Sequence, residues 1–286
     1  MTASANPSQF EAWNGVSGLR WVATADARDR VLAPVADVLL EAAAPEPGMH
    51  VVDIGCGCGA TTLMTADRIG SAGSVVGIDL SAPMLDVARR RAQAEGAVNA
   101  SFVQGDAQTH TFEPGSADLV ISRFGTMFFA DSEAAFTNIG TTLRAGGRLC
   151  IATWQPLVAN EWLAVPGAAI LRHTELPETA PDQPGMFAQS DPYFVSATLA
   201  AAGFADITLD ATAVELTFGA TVDEAVEYLA DSGHGRMLLE TIPEGAARDA
   251  ALADVHDALV AHHDDAGVRL GGAIWLVTAT RSKFER

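Results

Sequence analysis

Residues 51–59 read VVDIGCGCG, an apolar run carrying one acid, Asp53, and then glycines at 55, 57 and 59 with a cysteine in each gap. Glycine loses more conformational freedom on folding than any other residue and packs no side chain, so this spacing needs a separate reason. A strand ending in such a turn brings the chain to the carboxyl edge of a sheet. Bare backbone there can approach a ligand that side chains would block, and the next helix opens with unpaired N–H groups. A metal, a dinucleotide and a different nucleoside cofactor are the three ligands to weigh.

The surrounding sequence has the matching architecture. Residues 49–153 alternate strand-like and helix-like segments, the pattern of a parallel α/β sheet. Strands are predicted at Met49–Ile54, Ser74–Asp79, Ala100–Gln104, Ala117–Ser122 and Arg148–Thr153. Between the second and third lies a helix with Ser81 as N-cap, Pro83 in its first turn and a buried stripe of Met84, Leu85, Ala88 and Ala92. Arg89, Arg90 and Arg91 suit its later turns, and Gly96 stops it. A helix from Ser132 to Leu143 leads through RAGG, with Gly146 and Gly147 as turn residues, into the fifth strand. Residues 10–44 read as helical. Residues 155–190 are Pro-rich and contain the loop LPETAPDQPG; a helix at Pro192–Ala202, a strand-rich stretch Asp206–Phe218, helices over 222–263 and the buried strand GGAIWLVTATR follow.

With 286 residues, 49% of them hydrophobic, the chain can bury a full core in one large domain. Its 36 acidic residues against 17 basic ones give a net charge of −19, and no basic cluster is longer than Arg89–Arg91. Nucleic-acid binding rests on Lys and Arg neutralising phosphates, so a DNA or RNA partner is not expected. The opening residues MTASANPSQFEAWNG lack the basic start and apolar centre of a secretion signal. No apolar run approaches the roughly 20 residues of a membrane helix. Cys56, Cys58 and Cys150 are too few for a disulfide scaffold. A cytoplasmic protein without membrane insertion is expected.

Of the three ligands, a metal fits worst. Cys56 and Cys58 form C-x-C, but no second Cys/His pair has suitable spacing, so no metal is expected and the cysteines read as small packing residues. The loop G-C-G-C-G-A satisfies the permissive dinucleotide pattern, a weak match alone. Asp53, two residues before the first glycine, argues against a pyrophosphate and for a ligand bearing an ammonium group, although it can also simply cap the loop. The second strand ends at Asp79, where a carboxylate can accept both hydrogen bonds of a ribose diol. The third runs into QGDAQ, placing Asp106 where it can accept from an exocyclic amine.

Taken together, VVDIGCGCGATT, VVGIDLSAPML, VQGDAQTHTF, ADLVISRFGTMFF and LRAGGRLCIATW resemble a class I S-adenosylmethionine-dependent methyltransferase over residues 48–154. The similarity is greatest to the bacterial small-molecule group of the ubiquinone/menaquinone-biosynthesis C-methyltransferases. The resemblance implies that Asp53, Gly55, Cys56, Gly57 and Gly59 wrap the methionine end of the cofactor and that Asp79 holds the ribose. It further implies that Leu80 and Met84 flank the adenine, that Asp106 and Ala107 meet its edge, and that Arg123 and Phe124 lie near the sulfonium. The implied fold is a Rossmann-like three-layer sandwich whose seven-stranded sheet has the order 3-2-1-4-5-7-6 with the last strand antiparallel. Val214–Phe218 and Ile274–Thr280 are candidates for the final pair. Residues 1–47 then form a helical lid, 48–154 the S-adenosylmethionine-binding core, and 155–286 the rest of the same domain with a cap at 155–190.

Methyl transfer from a sulfonium is an in-line displacement that leaves S-adenosylhomocysteine, and it needs a base only when the acceptor must lose a proton. His173, His234 and His110 are the candidates, none singled out by spacing. Trp13, Trp21, Phe128, Phe129, Trp154 and Trp162 fall in segments expected around the open sheet edge, where they can line an apolar pocket for a small acceptor. Two other readings stay open: a non-catalytic S-adenosylmethionine-binding regulator and an NAD-dependent oxidoreductase. A homodimer is also left open.

Overall fold

A computed structural model describes residues 5–175 and 184–282. The chain opens with four short helices, α1 (Pro7–Asn14), α2 (Val16–Ala23), α3 (Ala25–Val31) and α4 (Ala33–Ala43). There follow β1 (His50–Ile54), α5 (Ala60–Ile69), β2 (Ser74–Asp79), α6 (Ala82–Glu95), β3 (Ala100–Gln104), β4 (Ala117–Arg123), α7 (Ser132–Thr142) and β5 (Leu143–Trp154). The remainder comprises α8 (Glu161–Ile170), α9 (Pro192–Ala201), β6 (Phe204–Gly219), α10 (Val222–Asp231), α11 (Gly233–Leu239), α12 (Ala246–Val260), β7 (His263–Asp264) and β8 (Gly267–Arg281).

The strands form one sheet in the order β3-β2-β1-β4-β5-β8-β6, parallel from β3 to β5, with β8 antiparallel to both β5 and β6. This is the expected order; the two-residue β7, which pairs with β8, only shifts the numbering. Both faces of the sheet are covered, and the alternation along each strand divides its side chains between them. Val51, Leu119, Ile121, Cys150 and Ala152 pack with Leu39 and Leu40 of α4 and with α8, α10 and α12 on one face. Val52, Val120, Leu149 and Ile151 pack with Phe136 and Ile139 of α7 and Leu199 of α9 on the other.

Local signals set most element ends. In α6 the Ser81 hydroxyl accepts the Met84 N–H, the stripe Met84, Leu85, Ala88 and Ala92 is buried, and Gly96 ends the helix in the left-handed region. The strand expected at Arg148 starts instead at Leu143. The RAGG segment bulges out between Leu143, opposite Ala117, and Arg148, opposite Leu119, with Gly146 at φ +75° absorbing the irregularity. The strand expected at Asp206–Phe218 starts at Phe204, and much of its length is exposed on one side. The loop LPETAPDQPG falls largely within 176–183, outside the described residues.

Candidate functional site

At the tip of β1, Asp53 is fully buried, and its Oδ2 accepts the hydroxyls of Thr61 and Thr62 from the first turn of α5, both at 2.7 Å. Its Oδ1 has no hydrogen-bond partner among the described residues. Burial pushes its carboxyl up to about 6, against the pull of the two threonines and of Arg123. Gly55, at φ +67°, lies so close to the β4 exit that a Cβ would sit 2.5 Å from the Gly125 Cα. Gly57, at φ +56°, would press its Cβ to 2.9 Å from the Met84 side chain. Gly55 is thus required by loop-on-loop packing and Gly57 by its left-handed backbone, since the Met84 tip could move aside. The Cys56 thiol packs under Gly77 of β2, and burial pushes the Cys58 thiol up to about 12, so both are packing groups. Among the described residues no cluster of three or more His, Cys, Asp and Glu is placed to hold a metal.

The next two strand tips bring further acids to the same crevice. Asp79 accepts the Gly57 N–H at Oδ2 and the Ser81 N–H at Oδ1, each at 2.8 Å, and burial raises its pKa. This carboxylate joins the tip of β2 to the turn after β1. Asp106, beyond β3, accepts the Gln108 N–H at 3.0 Å and both oxygens meet the Asn6 amide nitrogen, at 2.9 and 2.8 Å. Past β4, Arg123 pairs with Asp29 at 3.2 Å, and Asp29 also pairs with Arg91 at 2.7 Å. Phe124 is held at φ +66° and stacks on Trp154 with ring centroids 4.2 Å apart. A bulky residue in that conformation costs on the order of 1–3 kcal/mol and persists only where the surroundings enforce it.

Gly55, Gly57, Asp79, Asp106, Arg123 and Phe124 open into one cavity of about 1420 Å³, whereas Asp53 is buried behind its wall and does not line it. Asp79, Leu80, Met84, Asp106 and Ala107 line one part; Arg123, Phe124, Trp154, Trp162, Phe218 and Tyr228 line another. Single-ligand pockets run roughly 300–1,000 Å³, so this volume suits two ligands side by side. All six expected aromatic residues, Trp13, Trp21, Phe128, Phe129, Trp154 and Trp162, line the cavity. Trp13 meets Trp21 and Phe128 edge-on at 5.6 and 5.3 Å, and Trp154 tilts against Trp162 at 5.2 Å. The histidines separate. His173 bonds Asp254 at 2.9 Å away from the cavity, and His110 packs edge-on against Phe112 behind the Asp106 turn. His234 alone of the three lines the cavity, with its pKa lowered by burial.

Three cavity residues escaped the sequence reading. Arg28 lies over the Trp21 ring at 4.3 Å, donates from Nε to Thr24, and has no ion-pair partner among the described residues. Tyr228 on α10 is partly buried, with its phenol pushed up by burial. Asn6 reaches Asp106 from a hundred residues away. No local pattern marks any of them.

Comparison with known proteins follows the same lines. The methyltransferase domain family profile Methyltransf_25 matches residues 51–147. Aklanonic acid methyltransferase DauC of Streptomyces sp. (strain C5) is 34% identical over 151 residues, which cover 51% of this chain and 68% of that one. The chain belongs to the S-adenosylmethionine-dependent methyltransferases. A demethylmenaquinone methyltransferase of Lactococcus lactis is 34% identical over 110 residues, 38% of this chain and 44% of that enzyme. The YcgJ protein of Bacillus subtilis shares the fold, with a TM-score of 0.58 over 87% of this chain and 98% of its own, at 16% identity. The methyltransferase's crevice suits the family's cofactor. The unpartnered Asp53 oxygen is an acceptor beside the glycine turn, the unpaired Arg28 guanidinium suits a carboxylate, and Asp79 and Asp106 offer acceptors to hydroxyl and amine groups.

Proposed function

We propose that this methyltransferase transfers the S-adenosylmethionine methyl group to a small, largely apolar or aromatic metabolite bound beside the cofactor. The observation that carries this reading is the single cavity running from the strand tips to an aromatic chamber. Relatives named for aklanonic acid and demethylmenaquinone support the acceptor class. When bound, S-adenosylmethionine supplies an electrophilic methyl group whose departure leaves a neutral thioether, so no residue has to protonate the leaving group. Gly55, Gly57 and Arg28 hold the amino-acid end, with the buried Asp53 carboxyl behind the glycine turn, Asp79 holds the ribose, and Leu80, Met84, Asp106 and Ala107 the adenine. Phe124, Trp154, Trp162 and Phe218 exclude water and hold the acceptor flat. His234, lowered by burial and hence neutral at pH 7, accepts a proton at a ring nitrogen when the acceptor is a phenol, enol or acidic carbon.

In this reading residues 1–47 act as a lid, 48–154 as the cofactor core, and 155–286 as the rest of the domain with a cap at 155–190. No helix among the described residues is long and apolar enough to cross a membrane. The net charge of −19 supports an acceptor other than nucleic acid, and the reading places the enzyme in the cytoplasm. A labelled-methyl screen of metabolite extracts tests the assignment. Labelled small molecules are expected, and His234→Asn should lower kcat by about 10²–10⁴-fold with S-adenosylhomocysteine affinity unchanged. Binding of S-adenosylhomocysteine without any labelled product would favour a regulatory role instead.

A further inference from the structure

Asn6 is 2% exposed, although it precedes the first helix, and its carboxamide joins two strand exits. Its amide nitrogen spans both oxygens of Asp106 and lies 3.3 Å from Gln108 Oε1; its carbonyl accepts the Ala130 N–H at 2.5 Å. The Asn6 backbone carbonyl accepts the Phe10 N–H, so the same residue starts α1. The far end of α1 is pinned as firmly. The Ser81 hydroxyl donates to the Trp13 carbonyl at 2.6 Å, and Asn14 bonds the Leu80 carbonyl and the Ala82 N–H, both at 3.0 Å. An eight-residue helix is about 12 Å long, so α1 straps the turn after Asp79 to the turn holding Asp106.

We propose that Asn6 is a positioning residue that sets nucleobase specificity. This rests on the cofactor reading above. Asp106 recognises adenine by accepting from its exocyclic amine; a base with a carbonyl there would set oxygen against carboxylate. A carboxylate on a turn can rotate, and ordering it during binding costs free energy. Asn6 and the Gln108 amide fix its plane beforehand, and the Ala130 N–H in turn orients the Asn6 amide. The Asn6–Asp106 bonds are buried, where such bonds are strongest, and the links to the Gln108 and Ala130 amides are partly buried. The charge-assisted contact thus meets the amine already aimed.

The test is titration calorimetry on the full chain with S-adenosylhomocysteine and S-inosylhomocysteine, which differ in that amine. The wild type should favour the adenosyl ligand by roughly 100-fold or more, as expected of a site built around a hydrogen bond. Asn6→Ala should weaken the adenosyl ligand about tenfold and the inosyl ligand less than twofold, the difference of one well-aimed charged hydrogen bond. In an Asp106→Asn background the same substitution should change adenosyl binding less than twofold. Equal loss for both ligands would show only a general strap, and tighter adenosyl binding would show Asn6 competing with adenine; either result, or no change, overturns the proposal. A wild type that binds neither nucleoside overturns the cofactor reading itself, and the proposal with it.

Discussion

Asp53 combines full burial, two threonine hydroxyls on one oxygen and none on the other. With its pKa raised from 3.8 to about 6, the folded state holds this proton over a pH range where the unfolded chain has lost it. Stability from this group is therefore present below about pH 4 and lost as pH rises through 6, by about 3 kcal/mol for a shift of this size. Asp53→Asn should raise the unfolding free energy at pH 7.5 by about 1–3 kcal/mol, measured by urea titration, while weakening cofactor binding. Binding to a cationic amine requires the ionised acid. The affinity for S-adenosylhomocysteine should fall about tenfold between pH 7 and 5, a fall absent in Asp53→Asn, as calorimetry would show. Asp79 acts differently, since both its oxygens already accept backbone N–H groups. Asp79→Ala should cost a few kcal/mol of cofactor affinity and leave the Gly57 and Ser81 amides without their acceptor.

The helix ends beside the crevice carry two functions each. Ser81 caps α6 and ties it to α1 through the Trp13 carbonyl. Ser81→Ala should lower stability by about 1–2 kcal/mol, the range for a lost cap, and should speed amide hydrogen exchange in α1 more than in α4. The contrast is expected because α1 buries no residue fully, whereas α4 places Val35, Ala36, Leu39, Leu40 and Ala43 in the core. The amino-terminal helices therefore divide into a wall that packs and a strap that is pinned by polar contacts.

Across the whole molecule the two halves of the cavity come from different parts of the chain. The turn after β1 supplies the bare backbone and the tips of β2 and β3 the acids, while β6, α8, α10 and α11 supply Phe218, Trp162, Tyr228 and His234. Substitutions should separate accordingly. Tyr228→Phe and His234→Asn should alter acceptor KM or kcat while leaving S-adenosylhomocysteine affinity within twofold, whereas Asp106→Asn should weaken the nucleoside first; paired calorimetry and initial-rate measurements would check the split.

The strands and the acids at 53, 79 and 106 were readable in the sequence because each signal is local, whereas the order of the sheet was implied only by the resemblance of the motifs to a known family. An apolar run, a glycine turn and a helix cap report on residues within one turn or one pleat of each other. The entry into β5 through RAGG misled because a bulge and a turn use the same glycines. Which of three histidines faces the cavity, why Arg28 forms no ion pair among the described residues, and how Asn6 meets Asp106 were decided only when helices packed on the sheet. Those contacts join residues far apart in the chain, and the packing that chooses them follows shape and burial summed over the whole core rather than any pattern along the backbone.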